Sequence, residues 1–294
     1  MLGRLTTTSL PYVKRLIVEK QDMSSRVLGP MVRLRAASET KQMRILRISK
    51  GEKSPIDDTV VLERPATIFL NDAELVTLMC SPTHLEELAV GFLFSEGVIE
   101  GKQDLQSVVA DEDEGVVWVA TKGRKKSVRD LLSRRLITTG CGRGLSFHDA
   151  SSNVGLKVRS KLTVPPEDLI ALMSEFQRMS ELYRLTGGVH SAAVCDSKGV
   201  LELSEDIGRH SAVDKVLGRC ILGGVSTADR ILITSGRISS EMLVKAARAN
   251  IPIIVSKSAP TDLGVSLAKS FGITLAGFVR GSRMNIYSNP KRIS

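Results

Sequence analysis

Apolar and polar residues alternate along "RPATIFLNDAELVTLMC" (64–80) in two runs that meet at Asn71-Asp72. Alternation on both sides of such a pair predicts a β-hairpin, because asparagine and aspartate tolerate the left-handed backbone of a tight turn. The period then changes. Leu85, Leu88, Ala89, Phe92 and Leu93 form the apolar stripe of a helix, Thr83 and Glu86 have capping-box spacing, and Gly97 stands at the closing position. "LQSVVA" (105–110) and "GVVWVAT" (115–121) read as strands around the acidic turn 111–114.

The second half has another rhythm. A helix at about 166–183, opened by Pro165-Pro166-Glu167, precedes strands at 189–196 and 200–204 and a helix at 208–222. Strand "RILITSG" (230–236), helix 239–249, strand "IPIIVSK" (251–257), helix 262–271 and strand "ITLAGFV" (273–279) then alternate strictly. Short apolar strands alternating with helices predict an α/β fold, a mostly parallel sheet with helices on both faces. Periodicity is lost at "DASSNVGLKVRSK", which puts a domain boundary near 150–165. The expected segments are an extension over 1–42, an α+β part over 43–160 and the α/β part over 161–294.

Composition narrows the class. The 294 residues are 42% hydrophobic and 25% charged, as in ordinary globular proteins, and no run approaches the roughly 20 apolar residues of a membrane span. A cytoplasmic protein with no membrane partner is expected. The formal charge of +9 implies an anionic partner, but only 4% of residues are aromatic and none interleave with the basic stretches. That speaks against nucleic acid, whose single strands need stacking platforms. Residues 1–40 carry seven Lys/Arg against Glu19, Asp22 and Glu39, superficially like an organellar transit peptide. A disordered extension or an over-long start, with Met23 and Met43 as alternative initiators, is the preferred reading. The run "KGRKKSVR" (122–129) reads as a solvated loop, with docking of an acidic partner as its other use.

The four cysteines are widely spaced and form no CxxC pair, which argues against a disulfide framework and a structural zinc site. Cys195 and Cys220 lie in apolar periodic segments and read as core, while Cys80 ends a strand. Cys141 differs. In "ITTGCGRGLSFH" (137–148) it stands among Gly140, Gly142 and Gly144, with Arg143 and His148 adding positive potential, a setting that favours exposure and a lowered thiol pKa. Polar, glycine-bearing segments follow the last strands at 234–240, 256–262 and 280–285, where ligands of open α/β sheets bind. Arg237, Arg280 and Arg283 would make a phosphate-binding rim there, although the serines and threonines also serve as helix caps. Two further glycine turns, "TGGVHSAAV" (186–194) and "EDIGRHSAVDK" (205–215), carry His190, Arg209 and His210. No metal-ligand spacing occurs, and no metal is expected.

"TTGCGRG", "TGGVHSAAV", "EDIGRHSAVDK" and the segment from "TSGRISSEMLVKAARANIPIIVSKSAPTD" through "FVRGSRMNIYSNP" closely resemble the formate dehydrogenase accessory sulfurtransferase family, from about residue 60 to the C-terminus. The resemblance implies a persulfide carried on Cys141, with a cysteine desulfurase as sulfur donor. It further implies delivery to the molybdenum (or tungsten) bis(molybdopterin guanine dinucleotide) cofactor, bound as substrate, and formate dehydrogenase as client. It assigns the guanine dinucleotide site to Phe278, Val279, Arg280, Gly281, Ser282 and Arg283, with GDP as a mimic. It also implies a cytidine deaminase-like three-layer sandwich in the second half. A homodimer is the expected assembly. Many members of the family have CxxC where this chain has Cys141-Gly142-Arg143-Gly144, so a relay through a second thiol is in doubt. A cofactor-binding chaperone that moves no sulfur is the alternative. A zinc deaminase would need a glutamate where Ala192 stands and a P-C-x-x-C pair that is absent.

Overall fold

The structure, a computed structural model, describes residues 39–122, 136–138, 144–146 and 155–294. Strands β1 (Thr40–Ser49) and β2 (Glu52–Val61) form a two-stranded ribbon that turns at Lys50-Gly51, where both residues have positive φ (52° and 86°). Strands β3 (Arg64–Leu70) and β4 (Ala73–Cys80) make the hairpin expected at Asn71-Asp72, with φ of 48° and 68° in its turn. Helix α1 (Leu85–Ser95) follows, then β5 (Leu105–Asp111) and β6 (Val116–Thr121), and the four strands from β3 to β6 form a sheet in the order β4-β3-β6-β5. The short strands β7 (Leu136–Thr138) and β8 (Gly144–Ser146) pair antiparallel.

The capping box expected at the start of α1 does not form. Thr83 Oγ1 donates instead to Glu39 Oε1 at 2.5 Å, and Glu86 Oε1 accepts from the backbone of Ala110 at 3.2 Å. Both side chains answer to neighbouring elements, which a local pattern does not show.

In the second half, α2 (Pro166–Met179) and α3 (Glu181–Thr186) replace the single helix expected over 166–183. The break has a cause. Ser180 returns both its N–H and its hydroxyl to Phe176 O, and Glu205 accepts the next N–H groups, of Leu182 and Tyr183, at 2.9 and 3.0 Å. Then come β9 (His190–Asp196), β10 (Gly199–Asp206), α4 (Arg209–Gly223), β11 (Ile231–Thr234), α5 (Ser240–Arg248), β12 (Ile253–Ser256), α6 (Asp262–Phe271), β13 (Thr274–Arg280) and β14 (Arg283–Ser288). The sheet order is β10-β9-β11-β12-β13-β14.

This sheet is mixed rather than mostly parallel. β11, β12 and β13 run parallel, while β9 opposes β10 and β11, and β14 opposes β13. Strands joined by two residues, as at 197–198 and 281–282, have no room for a crossover and must be antiparallel. Helices cover both faces, as expected. Leu169, Leu172, Met173 and Phe176 of α2 pack on Ala193, Ile231, Ile233 and Ile253, while α4, α5 and α6 bury Val213, Val216, Met242, Leu243 and Phe271 against Val194, Leu232, Ile254 and Leu275.

Helix α1 packs on the four-stranded sheet and, on its other side, on α4. The two helices approach through Gly91 and Gly218: a Cβ on Gly91 would fall 1.8 Å from Asp214 O, and one on Gly218 would fall 1.9 Å from Glu87 O. Backbone cannot yield as a flexible side chain would. Gly91→Ala should therefore destabilise the protein by roughly 1–3 kcal/mol or more, the cost of overpacking. Urea unfolding measures it, and an unchanged midpoint would refute this contact.

Candidate functional site

The carboxyl ends of β11, β12 and β13 and the start of β9 open onto a cleft of about 570 Å³, lined among others by Tyr183, Arg184, His190, Ser235, Lys257 and Arg280. This is the edge where α/β sheets place ligands. Next to the cleft's lining residues Ser235 and Ser258 runs a buried chain of backbone and hydroxyl bonds. Gly236 N–H donates to Thr234 Oγ1 (3.1 Å), Ser256 Oγ donates to Gly236 O (2.7 Å), and Ser258 N–H donates to Ser256 Oγ (2.9 Å).

One wall is α3, held by Glu205, whose Oε1 also accepts from Ser191 Oγ at 3.0 Å. This wall carries Tyr183 and Arg184. Lys257 Nζ lies 5.8 Å from the Tyr183 ring centroid, a cation–π contact spanning two elements. Arg280 Nε donates to Lys257 O at 3.0 Å, which fixes the guanidinium, and its Cζ lies 5.9 Å from the Phe278 ring centroid. Three cations, Arg184, Lys257 and Arg280, thus line a cleft together with Ser235 and Ser258. The arrangement can hold a phosphate-bearing ligand.

The residues expected at 278–283 separate. Arg280 lines the cleft, and Phe278 sits beneath its guanidinium with φ of 53°. Val279 is buried, Gly281 and Ser282 form the exposed hairpin turn, and Arg283 is exposed opposite Arg280 on β14. Arg237 is exposed and does not line the cleft. Arg184 and Lys257 stand there instead. Neither attracts notice in the sequence, although Lys257 closes an apolar strand in the manner that marks the sheet's ligand edge.

His190 Nδ1 lies 3.2 Å from Ser235 Oγ, which also accepts the Ser191 N–H at 3.0 Å. Burial lowers the pKa of His190 below its ordinary 6.5, and the charges of Arg209 and His210 lower it further against an opposing effect of Asp206. His210 Nε2 itself lies 2.9 Å from Glu241 Oε2. Among the described residues, no group of three or more His, Cys, Asp and Glu side chains is placed to hold a metal ion.

Cys80, Cys195 and Cys220 are buried, and burial foremost pushes each thiol up to about 12. At neutral pH they stay protonated and do not act as nucleophiles. Cys141 lies outside the described residues, as does most of 122–129.

Fold and cleft together define an α/β protein with a cation-lined cleft at the carboxyl edge of its sheet. Sequence comparison supplies the family. The chain belongs to the FdhD/NarQ family, whose profile matches residues 61–294. It is similar to the "Sulfur carrier protein FdhD" of Bacillus subtilis, 42% identical over 250 residues that cover 85% of this chain and 95% of the relative. It is also similar to the protein of that name from Listeria innocua, 41% identical over 256 residues, 86% of this chain and 98% of the relative. Its fold is similar to a crystal structure described as a putative formate dehydrogenase accessory protein from Desulfotalea psychrophila, with a TM-score of 0.71, 28% identity, and coverage of 87% of this chain and 100% of the other.

Because the pKa of His190 is lowered on folding, the unfolded chain binds a proton more readily. The stability contributed by neutral His190 is complete above pH 6.5 and is lost as pH falls through the lowered folded value. A proton NMR titration should show His190 titrating below pH 6.5, and His190→Gln should remove that part of the acid destabilisation. A midpoint at or above 6.5 would contradict the account.

Proposed function

We propose that this protein is a sulfur carrier that accepts sulfur from a cysteine desulfurase as a persulfide on Cys141. It delivers that sulfur to the molybdenum (or tungsten) bis(molybdopterin guanine dinucleotide) cofactor, bound as substrate, for formate dehydrogenase. One observation carries the assignment to Cys141: of the four cysteines, the other three are buried with thiol pKa values of about 12. The names of the relatives support sulfur carriage and a formate dehydrogenase client.

In the loading step the Cys141 thiolate attacks the terminal sulfur of the donor's persulfide, R–S–SH. A new S–S bond forms, the donor's S–S bond breaks, and the donor cysteine leaves as thiolate. Release of the sulfur as HS⁻ requires a second thiolate, which ends in a mixed disulfide with Cys141. Residue 144 is glycine here, so that thiol comes from a partner or a small-molecule thiol.

The cleft supports the cofactor reading. The dinucleotide's pyrophosphates match Arg184, Lys257 and Arg280, and Tyr183 offers a ring at the same wall. Arg280 is the member of 278–283 that reaches it. The α/β part keeps the reading of a cytidine deaminase-like sandwich, without the deaminase glutamate at position 192. Among the described residues no helix is long and apolar enough to cross a membrane; the carrier proposed here acts in the cytoplasm.

A homodimer completes this reading. On the β1–β2 ribbon Leu46 and Ile48 are 58% and 63% exposed, and an isolated two-stranded ribbon is marginal in water. Within the ribbon Arg44 already pairs with Asp57 at 3.2 Å, so the exposed apolar pair rather than charge supplies the surface that a second copy related by a two-fold axis would cover. Sedimentation equilibrium should give twice the chain mass of 31.9 kDa, and Leu46→Glu with Ile48→Glu should halve it. A monomeric wild type, or a dimer indifferent to both changes, would remove the ribbon from this role.

The sulfur-carrier reading is tested by mass spectrometry after incubation with a cysteine desulfurase and cysteine. The peptide containing Cys141 should gain about 32 Da, one sulfur atom. Cys141→Ser should lose both the adduct and the activation of formate dehydrogenase. Full activation by the serine variant would instead establish a cofactor-binding chaperone that moves no sulfur, the reading that Gly144 favours.

A further inference from the structure

Helix α4 begins against the usual rule. Its N-cap, Gly208, has no side chain to bond the first turn, no acidic residue lies in that turn, and its first two residues are Arg209 and His210. Cations at the positive end of a helix dipole are unfavourable unless an anion joins them.

Arg209 is only 8% exposed. Its stem lies on Gly236, where an added Cβ would come within 2.9 Å of Arg209 Cβ and 3.2 Å of its Cδ. Its Nε has no hydrogen-bond partner, and among the described residues no carboxylate forms an ion pair with its guanidinium. The nearby acids are engaged elsewhere. Asp206 pairs with Lys215 at 2.7 Å and accepts Gly208 N–H at 2.9 Å, Glu205 holds α3 and Ser191, and Glu241 Oε2 stands 2.9 Å from His210. A buried guanidinium nitrogen left without an acceptor is costly, and an anion beside it would relieve that cost.

The location is informative. Gly236 directly follows Ser235, and Ser235, His190 and Ile207 line the cleft; Arg209 stands behind that lining, close enough for its charge to act on His190. We propose that Arg209, His190 and the first N–H groups of α4 form an oxyanion site at this end of the cleft, suited to a phosphate or pyrophosphate group. The guanidinium supplies a planar fork and the helix end supplies N–H donors. If Ser235 donates to His190 Nδ1, the ring hydrogen sits on Nε2 and makes it a third donor. The site deepens the nucleotide reading and rests on it for the identity of the natural ligand. Its chemistry is that of any phosphate ester or free pyrophosphate.

Calorimetric titration of the full chain with inorganic pyrophosphate, GDP and guanosine separates these sources. Pyrophosphate should bind the wild type, at least tenfold more weakly to Arg209→Met, and with intermediate strength to Arg209→Lys, which keeps charge but not the fork. GDP should lose the same factor. Guanosine should be insensitive to the changes. In the wild type, saturating pyrophosphate should raise the titration midpoint of His190, and in Arg209→Met it should not. Failure of pyrophosphate to bind the wild type, or equal binding by a normally melting Arg209→Met, overturns the proposal. If Arg209→Met does not fold, the same comparison with Arg209→Lys decides. GDP binding that ignores Arg209 leaves the nucleotide reading standing and removes this site. Pyrophosphate binding that needs Arg209, with no GDP binding at all, keeps the site and removes the nucleotide reading.

Discussion

Two buried ion pairs on either side of α4 set the geometry on which the rest of the structure depends. Lys215 Nζ lies 2.7 Å from Asp206 Oδ2, both side chains fully buried, and Lys245 Nζ lies 2.7 Å from Asp214 Oδ1. Each carboxylate also receives a hydroxyl from the first half of the chain: Ser81 Oγ reaches Asp206 at 3.0 Å and Ser95 Oγ reaches Asp214 at 2.6 Å. Asp214 and Lys215 are consecutive and therefore point apart, so the two networks grip α4 from different directions. Burying such pairs gains little net stability, yet removing one partner costs about 3–5 kcal/mol because the other is stranded. The networks act as alignment devices. They hold the four-stranded sheet, α1 and α4 in one register and so set where the first turn of α4 meets the cleft.

Local patterns disclosed much of this architecture, and their failures share one physical origin. The Asn71-Asp72 hairpin and the strict alternation of strands and helices after residue 230 depend on nearest neighbours, and they appear as the periodicity indicates. The break at Ser180 depends on Glu205, and the vacated cap at Thr83 depends on Glu39. Distant partners leave no trace in spacing. The rhythm of strands and helices does not reveal direction: β10 and β14 run antiparallel to their neighbours because two-residue connections leave no room for a crossover.

The cleft was half legible for the same reason. Arg280 announces itself by following an apolar strand, whereas Arg184 belongs to a short helix that exists only because Glu205 captures its first N–H groups. The segment carrying Arg209 and His210 stood out through its glycine turn. That Arg209 is buried without a carboxylate is a fact of tertiary packing alone. The cysteines divide similarly: apolar context forecasts burial for Cys195 and Cys220, while Cys80 needed the structure to place its thiol in the core.

The hydrogen-bonded chain beside the cleft has a consequence of its own. Thr234, Gly236, Ser256 and Ser258 link through amide and hydroxyl groups, none of which ionises in ordinary aqueous conditions. This chain of hydrogen bonds is thus the same in acid, neutral and alkaline solution. A phosphate-bearing ligand in the adjoining cleft would sense acidity through the imidazole of His190 and through its own phosphates. Proton uptake accompanying occupancy is then set by those groups, in an amount that varies with pH, while the neighbouring hydrogen-bonded chain keeps its charge state.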